Sequence, residues 1–443
     1  MTMLDPVDDY LAKTINALWR LPRDLVSDGF DQALSALSRD VPMVIHEYPS
    51  GSECFTWIVP EKWTCEEAFL QTMDGHCLFS YADNPLHVMS YSQPFEGVVS
   101  RDELLKHLFV HPRLPEAIPF QFSYYKSAWG LCCTQKLRET LNDETYRVVI
   151  RTRFSPGTLK VGEVVIPGRS EDAIVLCAHL CHPHMVNDDL TGVVVGVDIM
   201  RTLLARGNLR HTYRLVLLPE TIGSAAYLSH SKSIIPSMKG GIFLEMLGTG
   251  HPHALQRSLV GNSAMDLVAE MVMRELDPDA WSGDFLSVIL NDERMFNSQG
   301  VNVPMVSLSR VLPAGHPDRP YREYHTSLDT PERVDWQHLA DSRNLVLRII
   351  EALEANRTPR LLYFGELFCS RYPRINYRLM RDLIHSVPYY VDGRRTIAEI
   401  AAATEMGFSQ VKGFLDVLEA EDLLDYVAEE SLRSATVAET GPR

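Results

Sequence analysis

At 443 residues, with 45 % apolar and 23 % charged side chains, the chain has the composition of a soluble globular protein and length for about three domains at roughly 150 residues each. Its 58 Asp and Glu against 42 Lys and Arg leave a net charge of −16, which argues against a surface built to coat nucleic acid or an anionic membrane. No run of about 18 apolar residues is present, and the acidic start MTMLDPVDDY lacks a signal peptide's basic and apolar regions, so the expected location is the cytoplasm. The eight cysteines show no paired C-x-x-C spacing and read as reduced core residues.

The first 36 residues carry apolar side chains at helical spacing, among them Leu11, Ile15 and Leu18. From Met43 to about Val99 the pattern changes to short apolar runs broken by turn residues, with strands expected at Trp57–Val59 and Cys77–Tyr81. A helix at Arg101–Phe109 and a proline-spaced loop follow. Tyr146–Arg153 and Leu159–Ile166 read as a hairpin joined by Ser155-Pro156-Gly157. Strands are then expected at Ile174–Ala178, Tyr213–Leu218, Gly241–Leu247 and Val303–Leu308. Helices alternate with them at Gly192–Arg206, Ser224–Ser231, Ala264–Leu276 and Trp336–Ala355. Alternation at this spacing implies βαβ units: an α/β fold with a mostly parallel sheet sandwiched by helices. After Pro359, helices at Tyr377–Ile384, Ile397–Thr404 and Gln410–Glu421 with a strand at Asp425–Val427 outline a winged helix-turn-helix. The expected domains are 1–40 with 119–360 as the α/β body, 41–118 as an inserted β-rich unit, 361–428 as the winged helix and 429–443 as a disordered polar tail.

Polar chemistry gathers at the strand ends. His179, Cys181, His182, His184, Asn187, Asp188 and Asp189 lie between a strand and a helix, at the edge where open α/β sheets bind ligands. Imidazoles and carboxylates are the donors that zinc and related divalent ions take. Glu220 and Glu245 stand where the next two strands stop, Asn291-Asp292-Glu293-Arg294 adds a charged tetrad, and His325 comes late in the chain.

Taken in order, His179, Asn187-Asp188, Pro219-Glu220, Glu245 and Tyr324-His325-Thr326 with Asp329-Thr330 resemble the co-catalytic zinc aminopeptidases of the bacterial leucyl aminopeptidase type. More closely, the chain resembles a bacterial family of aminopeptidase-like proteins with a small inserted domain and a C-terminal winged helix, often encoded among genes of surface-polysaccharide or small-molecule biosynthesis. The matching segments include Tyr48-Pro49-Ser50-Gly51, Ser123-Tyr124-Tyr125 with Trp129-Gly130, and His179-Leu180-Cys181-His182-Pro183. Asn187–Gly192, Pro219–Ser224, Asp292-Glu293-Arg294 and Tyr324–Ser327 complete them. The resemblance implies metal ligation by His179 and Asp188, the latter bridging two ions in the peptidases, with His325 as the ligand on the far side. It also places Glu220 at the general-base position, Glu245 at a ligand position of the first metal, and a cis peptide at Asp188–Asp189.

One departure matters. Where the peptidases follow their base with a second metal-binding Glu, this chain has Thr221, and a hydroxyl is a poor replacement for a carboxylate on a divalent cation. The expectation is one well-held zinc on His179, Asp188 and His325, with Glu245 as a further ligand and a second site weak or absent. His182 with Asp292 or Glu293 is the alternative completion of a second site. Cys181 is a soft-ligand candidate whose alternation with His182 favours packing, and His184 is expected in solvent. Asp292 and Glu293 are candidates to hold a substrate amine. Arg310 is read either as the partner of a substrate carboxylate or as a surface ion pair.

No phosphate loop, dinucleotide fingerprint or G-x-S-x-G elbow is present. The C-terminal module carries six basic against nine acidic residues between Arg374 and Tyr426, whereas a DNA reader presents a basic stripe. It is read as a packing element, or as the contact for a protein partner or a second copy, with no nucleic acid and no membrane involved. Two functions follow: a zinc-dependent hydrolase of an amide in a peptide or small aminoacyl metabolite, or a non-catalytic metal-containing binding or assembly protein on a peptidase scaffold.

Overall fold

The computed structural model describes residues 6–428, so the polar tail expected at 429–443 lies outside the described residues. In chain order the principal strands are β1 (Met43–Pro49), β2 (Lys62–Thr72), β3 (Cys77–Ser80), β4 (Phe95–Ser100), β5 (Thr145–Ser155), β6 (Thr158–Ile166) and β7 (Ala173–His179). They continue as β8 (Thr212–Leu218), β9 (Met238–Leu244), β10 (Ala254–Gln256), β11 (Trp281–Gly283), β12 (Met305–Ser309), β13 (Pro359–Leu361) and β14 (Leu424–Tyr426). The main helices are α1 (Pro6–Leu18), α2 (Asp28–Leu37), α3 (Arg101–His107), α4 (Leu190–Arg206), α5 (Ile222–His230) and α6 (Ala264–Leu276). They end with α7 (Trp336–Ala355), α8 (Tyr377–Ser386), α9 (Ile397–Thr404) and α10 (Phe408–Ala420).

Residues up to 259 together with 281–343 form one compact unit. Its large sheet has the order β1-β6-β8-β7-β9-β12-β10-β11. The four central strands β8, β7, β9 and β12 are parallel, and the flanking β1, β6 and β10 join antiparallel. β7 reads AIVLCAH and is buried at every position, as a central strand covered on both faces requires. α4 begins at its N-cap Asp189, whose carboxylate accepts the Gly192 N–H. Its first turn lies so close to β9 that a Cβ on Gly192 would sit 2.2 Å from the Leu244 carbonyl oxygen.

A second sheet, order β3-β2-β5-β4, is antiparallel throughout. The expected hairpin between β5 and β6 is therefore not formed. β5 is flanked by β2 and β4, while β6 pairs with β1 and β8. Strand periodicity identifies both segments but does not select their partners. Pro156, which has no N–H for a ladder, and Gly157, whose Cβ would come within 2.6 Å of the Lys62 side chain, carry the chain from one sheet to the other. The β-rich sheet thus draws β5 from beyond 118, and β1, expected inside the insert, belongs to the large sheet.

Residues 260–280 with those from 344 onward form the second unit. α6, expected in the α/β body, packs on α9 and α10, and β13 pairs antiparallel with β14. α9 starts at a capping box between Thr396 and Glu399. Among the described residues no helix is long and apolar enough to cross a membrane.

Candidate metal centre

The loops leaving β7, β8 and β9 converge. His179 ends β7 and is fully buried; Glu220 lies two residues past β8 and Glu245 one past β9. The Asp188–Asp189 peptide is cis, as the resemblance implied. Asp188 sits between two imidazoles: His179 Nε2 is 3.1 Å from one carboxylate oxygen and His325 Nε2 is 3.0 Å from the other. Two groups of potential ligand atoms, each within 4.8 Å of one another, share this carboxylate. One is His179, Asp188 and Glu245; the other is His182, Asp188 and His325.

The chemistry of this donor set fits a cation. His179 Nε2, Asp188 Oδ2 and Glu245 Oε1 are buried and make no well-aligned hydrogen bond among the described residues, a cost that a shared ion removes. Burial opposes ionisation of Asp188, but His182, His179 and His325 together hold its carboxyl well below the usual range. Burial alone would depress His179; its contacts with Asp188 and Cys181 hold it well above the ordinary value. The sequence had singled out all four expected ligands, and the structure divides them between the two groups. His182, considered there with Asp292 or Glu293, stands instead with Asp188 and His325.

Glu220 and His325 are the members open to solvent, with side chains 31 % and 28 % exposed. Burial pushes the Glu220 carboxyl up, partly opposed by His179, and its Oε2 is 3.5 Å from His182 Nε2.

The expected substrate contacts are arranged differently. Both Glu293 oxygens are engaged, accepting from the Asn291 main chain at 3.1 and 3.0 Å and from the Gln256 amide at 3.0 Å. Asp292 accepts from the Thr221 N–H at 2.8 Å and from the Ser224 hydroxyl, fixing the start of α5 next to Glu220. Arg310 is buried, not a surface ion pair. It donates to Ser342 Oγ at 2.8 Å and to the His251 carbonyl at 2.7 Å, which ties down a loop and leaves the substrate-carboxylate role unsupported. His184, expected in solvent, is half-buried beside the Trp19 ring.

Three supports were given no role by the sequence. Asp329 accepts from the main-chain N–H groups of Val186, Asn187 and Asp188 at 3.0–3.1 Å and from the Tyr321 hydroxyl at 2.9 Å. Arg23, fully buried, donates to the carbonyls of Leu180, His182 and Met185 at 2.7–3.0 Å. Phe120 lies edge-on to His182 and His325, and its N–H donates to the His325 carbonyl at 2.8 Å. Asp329 was visible as part of the Tyr324–Thr330 motif; Arg23 and Phe120 gave no local signal.

The large mixed sheet flanked by helices and the strand-end His/Asp/Glu cluster define an aminopeptidase-like protein. Residues 12–356 match the family described as "Domain of unknown function (DUF4910)", and the chain belongs to that family. It is 31 % identical over 426 residues to a Clostridium acetobutylicum protein named "Putative polysaccharide biosynthesis protein with aminopeptidase-like domain", covering 93 % of this chain and 95 % of that one. The crystal structure of a "putative peptidase" from C. acetobutylicum superposes with a TM-score of 0.86 at 30 % identity, over 95 % of this chain and 96 % of that one. A zinc aminopeptidase from Bacillus subtilis shares the fold, with a TM-score of 0.57 at 12 % identity over 78 % of this chain and 95 % of that one.

Proposed function

We propose that the chain is a metal-dependent amide hydrolase, aminopeptidase-like, acting on a peptide or a small aminoacyl metabolite. The observation that carries this reading is Glu220, a solvent-reached carboxylate with a raised pKa beside two ligand groups that share Asp188. His179, Asp188, Glu245, His325 and His182 are the residues to hold the metal, with zinc the expected ion. Bound there, a divalent ion supplies Lewis acidity at an amide carbonyl and water of lowered pKa. Glu220 takes the proton of the attacking water and returns it to the leaving amine. Its raised pKa suits both halves of that transfer. Asp292 holds the main chain of Thr221 and so fixes the turn that carries Glu220.

The relative's name joins an aminopeptidase-like domain to polysaccharide biosynthesis, so N-acylated amino sugars belong in a substrate screen beside aminoacyl amides. Thr221 supports a second reading, a metal-containing binding protein without turnover. Metal analysis of the purified protein with a hydrolysis screen separates the two. Under the first reading Glu220→Gln retains metal and loses turnover by about 10²–10⁴-fold. Metal bound with no turnover across the panel supports the second.

A further inference from the structure

We propose that Cys181, with the Nδ1 atoms of His179 and His182, forms a soft-metal site that competes with the hydrolytic centre for His179. Cys181 Sγ lies 3.7 Å from His179 Nδ1 and 3.6 Å from His182 Nδ1, and the two nitrogens are 3.3 Å apart. A tetrahedral ion holding two imidazoles at about 2.05 Å and a thiolate at about 2.3 Å sets N···N at about 3.3 Å and N···S at about 3.6 Å. The triangle therefore already has the dimensions of one coordination sphere. All three side chains are buried, at 0 % (His179), 2 % (Cys181) and 4 % (His182) exposure.

Hydrogen bonding serves this triangle poorly. One proton satisfies the Nδ1–Nδ1 edge, and the thiol then has no unshared nitrogen lone pair to donate to; a single cation satisfies all three edges. The backbone holds the arrangement from outside. Arg23 clamps the carbonyls of Leu180 and His182, and His182 takes a left-handed φ of 81°. The Glu220 N–H donates to Cys181 Sγ at 3.2 Å, a second contact that steadies a metal-bound thiolate.

The consequence for activity rests on the hydrolase reading; the site itself does not. A neutral imidazole has one lone pair. When His179 gives Nδ1 to a soft ion, its Nε2 carries the proton and points at Asp188 as a donor, leaving the group with Glu245 one ligand short. His182 is withdrawn from the other group in the same step, and Cys181 releases its thiol proton to solvent. Cadmium, copper(I) or excess zinc is the class of ion this donor set selects, and manganese or magnesium is the class it rejects.

The test titrates the metal-free full-length protein with Cd²⁺ under reducing conditions and reads the thiolate-to-cadmium charge-transfer absorption. Wild type is expected to gain a band that saturates at one ion per chain; Cys181→Ser is expected to lack it, and His182→Ala to need about tenfold more Cd²⁺ or more. Mn²⁺ binding, followed by electron paramagnetic resonance, is expected to weaken about tenfold or more in wild type with one equivalent of Cd²⁺, and to weaken less in Cys181→Ser, where Cd²⁺ competes only for the imidazole and carboxylate ligands. ¹¹³Cd resonance of wild type, with a shift typical of one sulfur and two nitrogen ligands, reports the donor set without any variant. A band that survives Cys181→Ser, an oxygen-type ¹¹³Cd shift, or Cd²⁺ and Mn²⁺ bound together without competition overturns the proposal. The expected cadmium behaviour in a protein that hydrolyses nothing sinks the hydrolase reading alone.

Discussion

In the loop after β7, Asp188 lies among three imidazoles and has one oxygen that makes no well-aligned hydrogen bond among the described residues. In the turn Asn291–Arg294, both oxygens of Glu293 accept N–H donors. Both carboxylates are almost wholly buried, and burial alone disfavours their charge equally. The difference lies in what surrounds them. The first acid is kept ionised by its imidazole neighbours; the second is pushed up to about 7, foremost by burial, and is held by N–H donors of the scaffold.

The largest effect that can break this contrast is expected at Asp188. Asp188→Asn removes the carboxylate common to both ligand groups, so bound metal should be lost and turnover should fall on the order of 10³-fold, about 4 kcal/mol. Elemental analysis after gel filtration checks the metal; retention of full occupancy would mean that the shared carboxylate is not a ligand. Glu220 comes next. As a base it works ionised, and burial raises its pKa, so kcat/KM should fall as pH drops through a value above that of an ordinary glutamate. Glu220→Gln should remove that acidic limb. A wild-type profile that stays flat down to ordinary glutamate pKa would show that another group takes the proton.

A smaller effect is expected at Asp329, which touches no metal. Its carboxylate gathers three consecutive main-chain N–H groups and the Asn187 amide. Asp329→Asn turns a donor toward donors. It should weaken metal binding by about 10–100-fold and cost about 1–3 kcal/mol of stability, read by competition with a chelator and by urea unfolding. Loss of stability with unaltered metal affinity would assign Asp329 to the fold alone.

How much of this was legible follows from the range over which each residue acts. β7, α4 and the His179–Gly192 cluster are local: a continuous apolar run, a helical apolar face and donors within a few residues of one another show themselves in sequence. Glu220 and Glu245 were found because each stands where an apolar strand stops. The pairing of β5 with β2 and β4 was not legible, since alternation marks a strand without choosing its neighbour. Arg23 acts on carbonyls more than 150 residues away, and nothing near it in the chain signals that. Arg310 stayed open between a substrate contact and a surface ion pair because charge at a strand end is ambiguous until its partners are seen. The partners of Glu293 were hidden for the same reason, since Gln256 reaches it from a different strand.

Glu293 supplies the smallest expected effect on activity and the sharpest check on the scaffold half of the contrast. Its folded pKa, about 7, lies above its ordinary 4.5. Between those values the native state keeps a proton that the unfolded chain releases, so stability falls as pH rises through that window. The full span corresponds to at most about 3 kcal/mol. Glu293→Gln keeps an acceptor for Asn291 and Gln256 but carries no charge to bury. Urea unfolding of the metal-free protein should therefore show wild type and variant close together at pH 4 and the variant more stable by up to about 3 kcal/mol at pH 8, with metal content and turnover little changed. A stability difference that is flat with pH would mean that Glu293 ionises as readily in the native state as in the unfolded chain, with no raised pKa. A loss of metal in the variant would move it from the scaffold into the centre, alongside Asp188.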